Sequence, residues 1–177
     1  VIYDSFGILG AKVQRFQRID LDHFRQQLAY RDHDLMVLQF GGNSLQIPGL
    51  DYEVYRERFR AMVTLFRQSR PGASCLVLSP HDHGRRLSAT HIDTDPKLIK
   101  MMPVQRQVAL EEGCAWLSMY DAMGGAGSMG RWFREKKAYG DLRHLRHAGA
   151  KELAEALYRA LMTEFAAWLQ EQPCPEA

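Results

Sequence analysis

The chain has 177 residues, 46% of them apolar and 25% charged, with a formal net charge of +2. That length suits one globular domain with a real core. It carries no broad basic field for nucleic acid, so Arg56-Glu57-Arg58 and Arg131 to Lys137 read as solvated faces, and no run approaches the roughly 18 apolar residues of a membrane span.

In chain order, Val1 to Tyr3 reads as a strand that Gly7 and Gly10 break. Leu21 to Tyr30 reads as a helix, with Asp20 as N-cap and Leu21, Phe24 and Leu28 on one face. Leu35 to Phe40 is a near-continuous apolar run, as expected of a parallel strand buried on both faces. Tyr52 to Arg67 is a second helix whose inward side carries Val54, Tyr55, Phe59, Met62, Val63 and Phe66. Pro71-Gly72 ends that unit, Cys75 to Leu78 is a strand, and Pro80 to Asp95 is a polar loop bearing histidines. Leu98 to Glu112 is a helix in which Pro103 implies a late start or a kink. Cys114 to Met119 is a short strand, and Gly124 to Gly130 reads as a flexible loop. Ala150 to Gln170 is the closing helix, striped by Leu153, Leu157, Leu161, Phe165 and Trp168. Strands alternating with helices predict an α/β fold, a three-layer doubly wound parallel sheet. Residues 1–172 form one domain and 173–177 a tail, with neither an internal repeat nor a second domain.

Chemistry concentrates in Asp141-Leu-Arg-His144, just before the closing helix. A histidine acts as general base when a partner fixes its tautomer and stabilises the imidazolium. A carboxylate three residues upstream does both if a tight loop brings the side chains together. Two further segments place glycines at strand ends: the run into Gly10, and Leu35 to Phe40 followed by Gly41-Gly42-Asn43-Ser44. His147 has no carboxylate in the same register and reads as a surface or rim residue. His81-Asp82-His83 with His91 could hold a metal, though solvated or substrate-facing histidines are the simpler reading, and no metal or cofactor is expected. Ser44, Ser79 and Ser128 lack the strand-to-helix elbow that exposes a nucleophile. Met129 and Trp132 would shape a pocket or pack in the core. Cys75, Cys114 and Cys174 are odd in number and read as unpaired, the first two as buried thiols.

Taken together, Gly10, Gly41-x-Asn43 and Asp141-x-x-His144 resemble blocks two, three and five of the SGNH, or GDSL-type, esterase superfamily, over nearly the whole chain. Finer features resemble the peptidoglycan O-acetylesterase branch: Tyr3-Asp-Ser-Phe-Gly-x-x-Gly-Ala, Gln39-Phe-Gly-Gly-Asn-Ser44, and Ala122 to Met129 followed by Trp132. The resemblance implies a flavodoxin-like fold and a serine esterase acting on small acyl esters or an acylated sugar polymer. In it His144 is the base, Asp141 its orienting partner, and the Gly10 N–H and the Asn43 amide are oxyanion donors. It also implies a periplasmic or extracellular setting.

The family's first block, a strand ending in Gly-Asp-Ser, has no clear match. Tyr3-Asp4-Ser5 is a degenerate copy, but Ser5 and Gly10 are too close to hold a βα unit between them, so Ser5 is only a fallback nucleophile. In the flavodoxin-like order 2-1-3-4-5 the first strand sits inside the sheet. The expectation is therefore a slot between the strands at Val1 and Leu35. An upstream segment of the same protein, or a second chain, would fill it and bring the serine. In the resembling branch an accessory module can interrupt the chain after the first block, which would fit a fragment or processed chain opening at Val1 without methionine. The alternative function is a binding or scaffolding module that kept the fold without a nucleophile.

Overall fold

The computed structural model describes residues 2–7 and 9–171. In chain order the elements are α1 (Leu21–Arg31), β1 (Leu35–Gln39), α2 (Tyr52–Ser69), β2 (Ser74–Leu78), β3 (Gly84–Arg86), β4 (Ile92–Thr94), α3 (Pro96–Glu111), β5 (Ala115–Leu117), α4 (Met119–Met123), α5 (Ser128–Arg134) and α6 (His147–Glu171). Short 3-10 turns lie at Val13–Arg18 and Ser44–Gln46. The central sheet has the order β1-β2-β5, parallel throughout, with Leu35 opposite Ser74 and Leu76 opposite Ala115. Parallel neighbours need crossovers, and α2 and α3 supply them.

α1 and the two crossover helices each start at an aspartate. Asp20, Asp51 and Asp95 accept backbone N–H bonds from His23, Glu53 and Lys97, each at 2.9 Å, satisfying donors that the first helical turn leaves unpaired. Side-chain alternation along the strands then sorts the core into two layers. Met36, Leu38, Cys75 and Val77 pack against Phe59, Met62, Val63, Leu98, Met101 and Val108 on one face. Leu76 and Leu78 pack on the other with Met119, Met123, Met129, Trp132 and Leu153. Helices thus flank the sheet on both sides, the predicted three-layer α/β arrangement.

Several expectations need correction. Val1 lies outside the described residues, and Ile2 to Gly7 form no strand. Ile2 and Tyr3 are exposed, so that segment has neither a ladder partner nor a core to bury into. β1 is an edge strand, and no described strand pairs with its outer side. Among the described residues, the N-terminal segment therefore does not pair with the strand at Leu35. The helix around Pro103 starts earlier than predicted, at Pro96, because Pro tolerates the first helical position and Asp95 caps it. The loop from Pro80 to Asp95 contains the antiparallel hairpin of β3 and β4. Ser128 to Gly130, placed in a flexible loop, instead begin α5 and are buried. In α2, Val54 is exposed rather than inward. Cys75 and Cys114 are not free thiols. They form a disulfide with Sγ atoms 2.06 Å apart, because pairing of β2 with β5 brings two cysteines 39 positions apart side by side. Cys174 and the tail at 173–177 lie outside the described residues.

Candidate active site

β1 and β2 run parallel, so the residues that follow them emerge at the same end of the sheet, where doubly wound folds hold their ligands. An open cleft of about 290 Å³ lies there. Phe40 to Asn43 line it from β1, Pro80, His81 and His83 from β2, and Arg143 and His144 from the loop before α6, while Gly7 and Ala11 also border it.

The turn after β1 depends on its glycines. Gly41 has φ +120°, and a Cβ there would lie 2.7 Å from Gln105 Nε2 and 2.9 Å from Met101 Sδ, so no other residue fits. Gln105, fully buried, donates from Nε2 to the Phe40 carbonyl and to Tyr55 Oη, both at 2.8 Å, and so pins the end of the strand. At Gly42 a Cβ would meet the His83 ring at 3.2 Å. Asn43 borders the cleft and donates from Nδ2 to the Ala11 carbonyl at 3.1 Å, tying the N-terminal segment to this turn. One N–H of that amide remains for a ligand.

The Asp141 loop brings the side chains of Asp141 and His144 together. Asp141 Oδ1 accepts the backbone N–H groups of Arg143 (3.0 Å) and His144 (3.1 Å), while Oδ2 lies 2.5 Å from His144 Nδ1. Leu142 takes a left-handed φ of 58°, sparsely populated for such a residue, and is held there by burial and by its carbonyl accepting from Gly84 N–H at 2.8 Å. Burial raises the Asp141 carboxyl. The His144 ring and the two backbone amides outweigh that and hold it down to about 2. Asp141 is therefore a carboxylate at neutral pH. It fixes the Nδ1–H tautomer of His144 and leaves Nε2 as the basic atom.

Other sequence candidates fall elsewhere. Gly10 sits in a left-handed turn at φ +70°, beside Ala11 but not on the cleft wall. Ser5 is exposed and off the cleft. Its neighbour Asp4 pairs with His33 (2.9 Å) and Arg31 (3.5 Å), which precede β1 at the opposite end of the sheet. Ser44 Oγ is sealed without a partner. Ser79 Oγ donates to the Pro80 carbonyl at 2.8 Å and accepts from Met119 N–H at 2.8 Å, a purely structural clamp. Ser128 bonds Asp82 Oδ2 at 3.2 Å. Among the described residues no serine lines the cleft. His147 is exposed at the start of α6, and Met129 and Trp132 are core residues rather than pocket walls.

The metal reading of His81, Asp82, His83 and His91 does not hold together. His91 lies exposed in the hairpin turn, and Asp82 is turned away and buried against α5. Among the described residues no group of three or more His, Cys, Asp or Glu side chains converges on one point. His81 and His83 do join the cleft, a role the sequence had signalled only as substrate-facing histidines on a polar loop.

A model of the GDSL-like lipase/acylhydrolase family matches residues 1–152. Among solved structures, a peptidoglycan O-acetylesterase superposes with a TM-score of 0.85 at 24% identity, over 92% of this chain and 46% of that protein. This chain thus spans about half of that protein's length. The acetyl xylan esterase AlAXEase superposes with a TM-score of 0.63 at 15% identity, covering 87% of this chain and 78% of that one. A protein described as a GDSL-like lipase from Parabacteroides merdae gives 0.63 at 16% identity, over 85% and 68% of the two chains. At these identities the structural likeness is one of fold. No curated protein matched the sequence.

Proposed function

The chain belongs to the GDSL-like lipase/acylhydrolase family, and we propose that it carries the base half of a serine esterase acting on small acyl esters, O-acetyl groups on a sugar polymer above all. The Asp141–His144 pair at the rim of the cleft carries this reading. Nδ1 is held by the carboxylate, so Nε2 is free to take a hydroxyl proton and later return it to the leaving alcohol. The spare Asn43 N–H is the proposed oxyanion donor on the cleft wall, and losing one such donor costs on the order of 10²–10³ in rate. The preference for acetyl esters is supported by the acetylesterases among the structural neighbours. A setting outside the cytoplasm is supported by the buried Cys75–Cys114 disulfide.

In this proposal the serine comes from outside the described residues, on a strand added along the outer side of β1. A parallel strand there would end level with Gly41 to Asn43, beside His144. The described N-terminal residues do not pair with the outer side of β1, which supports such a strand. They touch the β1 region before the strand, through Asp4 and His33, and beyond it, through Ala11 and Asn43, yet form no ladder with β1 itself. The full protein should cleave p-nitrophenyl acetate, and His144→Ala should abolish this. Labelling with a fluorophosphonate should mark a serine other than Ser5. Unchanged turnover in His144→Ala would sink the base assignment, and a label on Ser5 would sink the added strand. That no serine among the described residues lines the cleft supports a second reading, a binding module of the same fold. A full protein with no turnover and no labelled serine would favour it.

A further inference from the structure

The loop after β2 alternates in a way the esterase reading does not use. His81 and His83 border the cleft, while Asp82 between them is fully buried on the opposite side. Asp82 Oδ2 accepts from Met129 N–H at 2.8 Å and from the Ser128 hydroxyl at 3.2 Å, which fastens the middle of the loop to the start of α5. With the middle fixed, the two imidazoles are presented together, ring centroids 5.2 Å apart and planes 34° from parallel. His83 braces the Gly42 turn. His81 is differently placed. Its Nδ1 lies 3.1 Å from the Asp82 carbonyl oxygen, which can only accept, so Nδ1 carries the proton and Nε2 is a bare acceptor. No described residue donates to that Nε2. Burial above all disfavours the charged ring, and the nearby His144 adds to this.

An acceptor held on a cleft wall without a protein donor discriminates by what a ligand offers it. We propose that His81 Nε2 is a specificity-determining acceptor for a hydroxyl or amide N–H next to the scissile ester. The cleft would then favour esters on a polyol or amino-sugar framework over plain alkyl or aryl esters. The role of the cleft in this inference rests on the esterase reading.

The test uses the full protein with two esters, 6-O-acetyl-N-acetylglucosamine, which has donors, and p-nitrophenyl acetate, which has none. For His81→Phe, kcat/KM on the sugar ester should fall about 10-fold, mostly through KM, the size of one neutral hydrogen bond, while the aryl ester changes by less than about 2-fold. His81→Gln, which keeps an acceptor oxygen, should recover most of the loss. Equal losses on both esters, or no loss on either, would overturn the inference. A second readout does not depend on turnover. The ¹⁵N resonance of His81 Nε2 should shift when N-acetylglucosamine is added. A shift in a protein that hydrolyses neither ester would keep this inference and remove the esterase reading. Turnover without any shift would do the reverse.

Discussion

On one face of the sheet, Phe59, Val63, Leu98 and Met101 from α2 and α3 are sealed over Met36, Leu38, Cys75 and Val77. On the other face, α6 covers Leu76 and Leu78 with Leu153, Leu157 and Leu161, and the cover then stops. Leu35 and Val37 share that second face with Leu76, by the pairing of Val37 with Leu76, yet remain 44% and 45% exposed. The distal half of α6 adds Tyr158, Met162, Phe165 and Leu169, all exposed. The first face is closed by helices that are themselves the crossovers between its strands, so coverage comes with the topology. The second depends on helices that follow the last strand, and they reach only β2 and β5. On β1 the open apolar surface is that of Leu35 and Val37, at the edge where the proposed strand would enter.

The largest test of this contrast is paired truncation. Phe59→Ala should lower unfolding free energy by about 3–5 kcal/mol in urea titrations, as for other buried aromatics. Phe165→Ala, on the uncovered half of α6, should change it by no more than about 0.5 kcal/mol. Comparable losses at both sites would mean that the second face is covered in solution. Next in size is the covalent tie within the first face. Removing both Cys75 and Cys114 by alanine substitution should cost about 2–4 kcal/mol, the usual range for a closed loop of this length. A double variant as stable as the parent would show that the bond does not form.

Acid should act on the cleft side before it acts on the core. His83 is held neutral by burial, with His81, Arg143 and His144 adding to the effect, and falls from its ordinary 6.5 to about 3. The unfolded chain then binds the extra proton below pH 6.5 and the folded chain does not. Stability is thus complete above that pH and drains away toward pH 3, at up to about 1.4 kcal/mol per pH unit for this group. His81 shifts in the same direction. Asp141 works in a lower window, its contribution present above 3.8 and lost as pH falls toward 2. His83→Gln should flatten the fall in urea midpoint between pH 6 and 4. An unchanged slope would place the acid sensitivity elsewhere. The smallest expected effect is Phe165→Glu, which should leave the melting temperature nearly unchanged while reducing concentration-dependent self-association in sedimentation.

Much of this was legible in the residues. The unbroken apolar run from Leu35 announced a strand of a parallel sheet, though not one buried on both faces, since Leu35 and Val37 stay exposed on the edge strand β1. Asp20 announced its helix through the cap it could form. Asp141 and His144 were readable because their whole geometry is local, three positions apart. What the sequence hid was decided at longer range or by partners. Cys75 and Cys114 become a pair only once β2 and β5 are neighbours. The Gly84–Arg86 strand is too short and polar to show an alternating pattern. The apolar stripe of α6 has the same spacing whether or not anything covers its second half. A strand at Val1 was expected from its side chains, but Ile2 to Gly7 have no ladder to join.

The disulfide also changes what cutting the chain would do. It joins β2 to the residue just before β5, so it closes the hairpin, α3 and the loop carrying His81 and His83 into one covalent ring. A protease nick in the exposed turn around Ser88 to Thr90 would open the backbone but release no fragment. On a non-reducing gel the nicked chain would migrate as one species, and only after reduction would it run as two.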